Sequence, residues 1–455
     1  MANTYISRAA TGTRTSYKTF TFSFWLKRGN LTETQTIFMH ENASSHSEKF
    51  QLELQSDDTF RISVYDGSVE FNYDTNMLFR DINAWYNVVV RWDTTQGTAT
   101  NRVRIYVNGS QITFDNANGS TATMPNQNFA LDLGEKIMVW GRYQASSPGA
   151  YFNGSLSHCH YADGQSYAPT VFGSVDSVTG EWQINPSPTV TYGNNGFFIL
   201  KDGNRVVNDA GNSSGNFAVS GGALTPAKDC PSNVFATMNH LANFAGQWAL
   251  FENQNTYVRS AGSGEAFIAS TLGIPATSGK FYTEVKYTAG GSYSVIGISG
   301  RMSPTASGDY AGNKADSYVY RQNGQKKSND VDSSYGNSYA TGDIIGIAVD
   351  ATNSKLYFSK NGTWQNSGDP TSGSTGTGAI SISATPTDGF YFMACAKESA
   401  STKNFYAWNF GNGYYQTTAI TTNSGNGYAG AEGASKFSYA VPSGYSALST
   451  KGLNQ

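Results

Sequence analysis

Residues able to do acid–base, nucleophilic or metal chemistry are few and scattered in this 455-residue chain. The five histidines are His40, His46, His158, His160 and His240. His158 and His160 flank Cys159 in a stretch that reads as a strand, so both imidazoles point to one face. Zinc would need two further donors, and neither Cys-X-X-Cys nor His-Glu-X-X-His is present. A surface or rim histidine pair is therefore expected, with no metal and no cofactor. Gly-X-Ser-X-Gly does not occur as a strand-to-helix elbow. Sugar hydrolysis on a sandwich fold needs two carboxylates projecting from one strand. Glu53 in QLEL and Glu284 in YTEV are each isolated, and Asp57-Asp58 falls in a turn. No enzyme is expected.

Aromatic side chains make the stronger pattern. Tyr310, Tyr318, Tyr320, Tyr335 and Tyr339 lie in a stretch rich in Gly, Ser, Asn and Asp, and Trp364 follows an Asn-Gly turn. Rings supply apolar contact and amides supply directional hydrogen bonds, a combination suited to binding sugar or protein. These six residues are the candidate ligand-binding set. For Tyr318 and Tyr320 a second reading stands beside it: in a strand SYVYRQNGQ they pack on the core or its outer face. Trp364 is either exposed or caps the sandwich edge. A second stretch, from Trp408 to Tyr428, reads as a loop insertion or a subunit contact.

The elements that must position these residues are short strands. Gly342 to Trp364 reads as a hairpin: Ile345, Ile347 and Val349 alternate towards one face, a polar turn follows Asp350, and Leu356 to Phe358 return to Asn361-Gly362. The same design occurs earlier, where Val88 to Asp93 is followed by a longer turn and Arg102 to Val107 returns to Asn108-Gly109. Two copies of one hairpin far apart suggest two domains of related architecture. In the first, Phe20, Phe22, Phe24 and Leu26 alternate in one strand, and further strands follow at short intervals between polar turns.

Composition agrees. Charged residues are 14% against a usual value of about 25%, replaced by Gly, Asn, Ser and Thr, which suits turns better than long helices. A net charge of −3 offers no field for a nucleic-acid backbone. No stretch has the apolar core of a signal peptide or approaches a membrane span, so neither membrane insertion nor a standard secretion route is expected. Cys159, Cys230 and Cys395 are too dispersed for a disulfide framework and read as buried free thiols.

FTFSFWLKRG, AWYNVVVRWD, VRIYVNG and YFNGSLSHCHYADGQSYAPTVFG, in that order, resemble successive pieces of a concanavalin-like, laminin-G-like jelly roll over residues 1–200. Residues 201–228, rich in Gly, Asn, Ser and Asp, read as a linker. From 229 to 455 the chain resembles a SPRY domain, carried by SGKFYTEVKY, SVIGIS, GDIIGIAVDATNSKLYFSKNG, GFYFMACAK and FSYAVPSGYSAL. The expected fold is all-β: two antiparallel, jelly-roll-like β-sandwiches in tandem. In SPRY domains loops at one end of the sandwich form the partner surface, so the resemblance implies that the tyrosine-rich stretch does so here.

The combination resembles structural virion proteins of tailed bacteriophages. That implies a particle-surface protein, on tail or capsid, contacting other virion proteins and binding a host-surface glycan or protein receptor as a tail fibre or spike. A homo-oligomer is expected, with a trimer as the guess. The alternatives are a capsid-decoration or head-fibre protein, a polysaccharide-binding or polysaccharide-degrading protein, and an intracellular adaptor.

Overall fold

The structure is a computed structural model. It describes residues 3–454 except 10–12, 42–48, 132–135, 145–147, 178–179, 202–204, 213, 225–226, 243–247, 262–263, 292, 304–308, 399–402 and 421–428. The chain divides into two compact units, Met1–Pro226 and Ala227–Gln455, each a pair of β-sheets enclosing its own core. Among the described residues no helix is long and apolar enough to cross a membrane.

In the first unit an eight-stranded sheet faces a six-stranded one. The centre of the smaller sheet is the strand Thr19–Arg28, held antiparallel between Gly154–Asp163 and Tyr86–Asp93. Its alternation works as read: Phe20, Phe22, Phe24 and Leu26 are buried in the core, with Phe22 stacked on Phe50 at 5.2 Å across the sandwich. The opposite face is not left to water. Thr21 Oγ1 donates to Gln165 O (2.8 Å), Trp182 Nε1 donates to Asn87 Oδ1 (3.0 Å), and Phe172 packs with Val89 and Tyr106. A covering segment between the last long strand and Phe197 thus seals the outer face.

The stretch 201–228, expected as a linker, belongs largely to this unit. Ala218–Ser220 pairs antiparallel with Tyr5–Ser7 at the edge of the larger sheet. Phe217 is buried against Phe197 at 5.1 Å and under the Arg8 guanidinium at 5.0 Å. Phe217, with Val206 and Leu224 packed against the core and the Asn208, Asn212 and Ser214 side chains bonded to Phe198 N, Gly193 O and Gly196 O, anchors a segment whose composition looks loop-like.

In the second unit the strand Lys280–Ala289 runs between Ile344–Asp350 and Phe405–Asn409. The facing sheet has the order Ala266–Pro275, Phe390–Lys397, Ser294–Ser299, Ser317–Arg321, Gln325–Ser328, Val331–Ser334. The hairpin read from sequence is present, with Ile347 opposite Phe358 and Val349 opposite Leu356, all buried. Its twin repeats the details. Asn108 and Asn361 each take a left-handed φ (48° and 49°), and each Oδ1 accepts from the first residues of the partner strand, Asn87 N and Ile344 N, both at 2.8 Å. The following glycines are each covered by a ring: a Cβ on Gly109 would lie 2.3 Å from Trp182, and one on Gly362 2.5 Å from Tyr439.

Candidate functional site

The six candidate aromatics do not converge. Tyr320, Tyr335 and Tyr339 are interior residues, 0%, 6% and 1% exposed, and are not available to a ligand. Alternation along Ser317–Arg321 turns Tyr320 inward, where its ring stacks on Phe358 at 5.5 Å and meets Tyr335 and Tyr339 at 5.7 and 5.5 Å. Their hydroxyls are satisfied inside. Tyr320 donates to Asn337 O, Tyr335 accepts from Phe358 N (3.1 Å), and Tyr339 donates to Ser294 O (3.0 Å). Burial pushes the Tyr335 hydroxyl up to about 12, and that of Tyr339 well above the ordinary phenol range. Tyr318 points to the same interior, half-buried beside Tyr391, its hydroxyl accepting from Ser383 N (3.0 Å). The packing alternative holds for both strand tyrosines. Trp364 lies against the other sheet, edge-on to Tyr282 (6.3 Å) and Tyr357 (6.5 Å), so it caps that sheet.

Tyr310 differs. Its ring packs, half-buried, on an apolar patch on the outer face of the six-stranded sheet, made by Phe267, Val295, Val319, Ala394 and Ala396. The hydroxyl donates to Asp330 Oδ1 (2.6 Å) and accepts from Lys327 Nζ (2.9 Å), which also sits 5.0 Å from the ring centroid. Beside it lies a shallow surface depression, about 10 Å³ and so room for about one water, that Ser299, Asn313, Ser317, Arg301 and Lys314 also line. Its charges are held in place from below: Lys314 Nζ is 2.7 Å from Asp309, and Arg301 Nε is 3.5 Å from Asp316. Burial alone would raise the Asp316 carboxyl. Hydrogen bonds from Thr387 N (3.0 Å) and Oγ1 (2.5 Å), with Arg301 nearby, outweigh it and leave the carboxyl below its ordinary value.

The patch is bordered by an ion-pair network. Arg321 bridges Asp332 and Glu398, and Lys327 Nζ lies 2.9 Å from Asp330 and 3.5 Å from Glu398. Desolvation would lower the Lys327 ammonium, but its bonds to Tyr310 and Asp330 reverse the sign and keep it charged. The site is thus an aromatic ring of fixed orientation beside hydroxyl, amide and paired charged groups. Tyr293, missed in the sequence, is 51% exposed at the end of the same sheet, and its carbonyl accepts from Glu398 N (3.1 Å). Its φ of 74° is costly for a non-glycine residue. The signal available was an aromatic in the Gly-Gly-Ser-Tyr turn.

The acidic candidates do not form a hydrolytic pair. Across the strands Gln35–Glu41 and Lys49–Leu54, Glu41 sits opposite Lys49 and Thr36 opposite Glu53. Glu41 and Glu53 are therefore four strand positions apart, about 13 Å of backbone, rather than directly opposite across the ladder. Glu284 is fully buried. It accepts from Tyr415 Oη (2.6 Å), Ser438 N (2.8 Å), Tyr439 N (2.9 Å) and Tyr282 Oη (3.1 Å), which pin the C-terminal segment to the sheet.

His158 and His160 do share one face, 5.9 and 4.0 Å from the Phe198 ring, because Cys159 and Tyr161 alternate with them into the core, and a bulge with His158 at φ 48° adjoins them. They are not the expected surface pair. Both are buried, with His160 Nδ1 2.8 Å from Tyr192 Oη, and burial pushes the His160 imidazole well below its ordinary value. His46 lies outside the described residues. Among the described residues no group of three or more His, Cys, Asp or Glu could hold a metal ion. Cys159 and Cys395 are buried free thiols, whereas Cys230 is only partly buried. The stretch after Trp408 is not an exposed loop where described: Trp408, Phe410, Tyr415 and Ile420 are all buried, and residues 421–428 lie outside the described set.

Comparison with known proteins locates two domain types. Residues 2–165 match the model of the concanavalin A-like lectin/glucanases superfamily, and residues 280–384 match the SPRY domain model. The chain thus carries an N-terminal laminin-G/concanavalin-like domain and a C-terminal SPRY domain. No curated protein matches. Similar solved structures include the SPRY domain of human HERC1, at 16% identity over 36% of this chain and 94% of that one, TM-score 0.28. A heptameric SAP-like pentraxin from Limulus polyphemus is 13% identical over 49% and 88%, TM-score 0.31. The CBM40 module of a Ruminococcus gnavus sialidase is 13% identical over 32% and 82%, TM-score 0.24.

Proposed function

We propose that this chain is a non-enzymatic attachment protein of a tailed bacteriophage, a structural virion component displaying two β-sandwich binding modules as part of a tail fibre or spike. The observation that carries the binding reading is Tyr310, an aromatic whose hydroxyl is fixed by Asp330 and Lys327 beside a depression lined by hydroxyl, amide and cationic groups. A ring of set orientation with directional polar neighbours matches what a saccharide or a polar protein loop presents. The pairing of a lectin-superfamily domain with a SPRY domain supports a recognition role for both units. The separation of Glu41 from Glu53 and the fully engaged Glu284 favour binding over hydrolysis. The partners on this reading are neighbouring virion proteins, a host-surface glycan or protein, and further copies of the chain in a symmetric assembly, a trimer.

The test is localisation on purified particles of the encoding phage by single-particle cryo-electron microscopy. Density on the tail or a tail appendage is the expected result. Density on the capsid would turn the reading into a decoration or head-fibre role, and particles lacking the chain would end the virion reading.

A further inference from the structure

A separate cleft, of about 320 Å³, opens in the second unit between the turn after Ala266–Pro275 and the C-terminal segment. Its walls are Pro275, Phe281 and Leu453 on the apolar side, with Ser278, Ser446 and Lys280 as the polar groups, and the rest of the lining is alanine and glycine. That volume lies at the lower end of the roughly 300–1,000 Å³ typical of small-molecule sites, and apolar walls with few polar groups are typical of them too.

Among the described residues Lys280 is the one charged residue in the lining. Its ammonium lies 3.1 Å from Asp350 Oδ2 and 5.7 Å from the Tyr445 ring. The Asp350 carboxylate is completely buried and also accepts from Asn353 N (3.0 Å) and Nδ2 (2.8 Å), whereas the lysine side chain is 28% exposed. The exposed side of this pair is therefore cationic. Glu432, beside the lining residue Ala431, is engaged by backbone donors: its carboxylate accepts from Ser435 N (3.1 Å) and Ala447 N (2.9 Å).

We propose that this cleft is a second ligand site, for a small hydroxylated organic carboxylate of mono- to disaccharide size, a uronic acid or its glycoside. The lysine supplies a point charge for the carboxylate, the serine hydroxyls donate to or accept from ring hydroxyls, and the apolar wall covers the sugar's C–H face. The site shares no lining residue with the Tyr310 depression, and the inference stands whether or not that depression binds.

The test is isothermal titration calorimetry on the full chain with glucuronate, its uncharged methyl ester, galacturonate, a galacturonate oligomer and inorganic phosphate. Saturable binding of a uronate is expected, weakened about tenfold or more in the ester. Lys280→Gln should lose binding to a similar degree and Lys280→Arg should restore part of it. Because Lys280→Gln strands the buried Asp350, Ser278→Trp serves as the second variant: it fills the mouth from an exposed turn without touching the ion pair, and it should abolish the heat. Tighter binding of the oligomer would mark a polymer-bound uronate as the ligand and equal binding a free acid, and both support the site. Absence of saturable uronate binding, equal binding of the ester, phosphate binding as tightly as uronate, or an unaffected Ser278→Trp would each overturn it.

Discussion

Tyr339 and Tyr310 belong to one aromatic-rich stretch of the second unit and have opposite fates. Tyr339 lies between the sheets, edge-on to Tyr287 at 5.5 Å, with its hydroxyl bound to Ser294. Tyr310 lies on the outside of one sheet, its hydroxyl shared by Lys327 and Asp330, the latter's side chain 65% exposed. The two rings are chemically identical. What separates them is which face of the sheet the chain brings them to, and whether the hydroxyl finds neutral interior partners or charged groups at the surface. The first tyrosine is part of how the sandwich holds together; the second, half-buried on the outer face, keeps part of its ring at the surface beside charged groups.

Substitutions can test that contrast. Tyr339→Ala should have the largest effect, destabilising the second unit by about 3–5 kcal/mol, as for other large aromatic truncations in cores. Urea unfolding followed by tyrosine and tryptophan fluorescence would measure it, and a change below about 1 kcal/mol would contradict the interior assignment. Tyr339→Phe keeps the packing and strips the hydroxyl from the Ser294 and Tyr406 network, so about 1–3 kcal/mol is expected.

A pH series sharpens the same contrast with carboxyls in place of phenols. Burial raises the Glu284 carboxyl, opposed by its bonds from Tyr415, Ser438, Tyr439 and Tyr282. The folded unit thus holds that proton to higher pH than the unfolded chain. Its contribution to stability is full below the ordinary glutamate pKa and is lost as pH rises through the raised value. Asp316, beneath the surface depression, has the opposite sign: held low, it stabilises above the ordinary aspartate pKa, and that is lost as pH falls through its lowered value. Unfolding free energies from about pH 3 to 7 should show Glu284→Gln losing the decline on the rising-pH side, and Asp316→Asn losing the decline on the acid side. Identical pH profiles for wild type and both variants would contradict the two assignments. Tyr310→Ala should change stability least, by about 1 kcal/mol or less, since its ring is only half-buried.

The sequence made the strands legible because their buried faces alternate without interruption. Phe20 to Leu26 and Ile345 to Val349 each present one apolar row, and the two Asn-Gly turns carry their own conformational requirement. Less legible was anything that depends on what covers a sheet. His158 and His160 look like a rim pair until the segment carrying Phe172 and Tyr192 closes over them. Residues 201–228 read as linker because few apolar residues, Phe217, Val206 and Leu224, anchor them, and the rest is done by Asn and Ser side chains that look loop-like in sequence. The same gap explains the candidate site. Strand alternation foretold that Tyr318 and Tyr320 could turn inward, but Tyr335 and Tyr339 lie beyond that strand and are buried by the return of the chain under the sheet.

The central claim is that Tyr310 marks a recognition surface. The direct measurement is binding of the purified full chain to a panel of bacterial surface polysaccharides, with wild type and Tyr310→Ala compared side by side and Tyr310→Phe as the conservative control. The account predicts saturable binding of at least one polysaccharide by wild type, a loss of about tenfold or more in Tyr310→Ala, and a stability change of about 1 kcal/mol or less in that variant. Binding by wild type that Tyr310→Ala leaves intact would move the surface elsewhere, and a wild-type chain that binds nothing on such a panel would contradict the glycan form of the account.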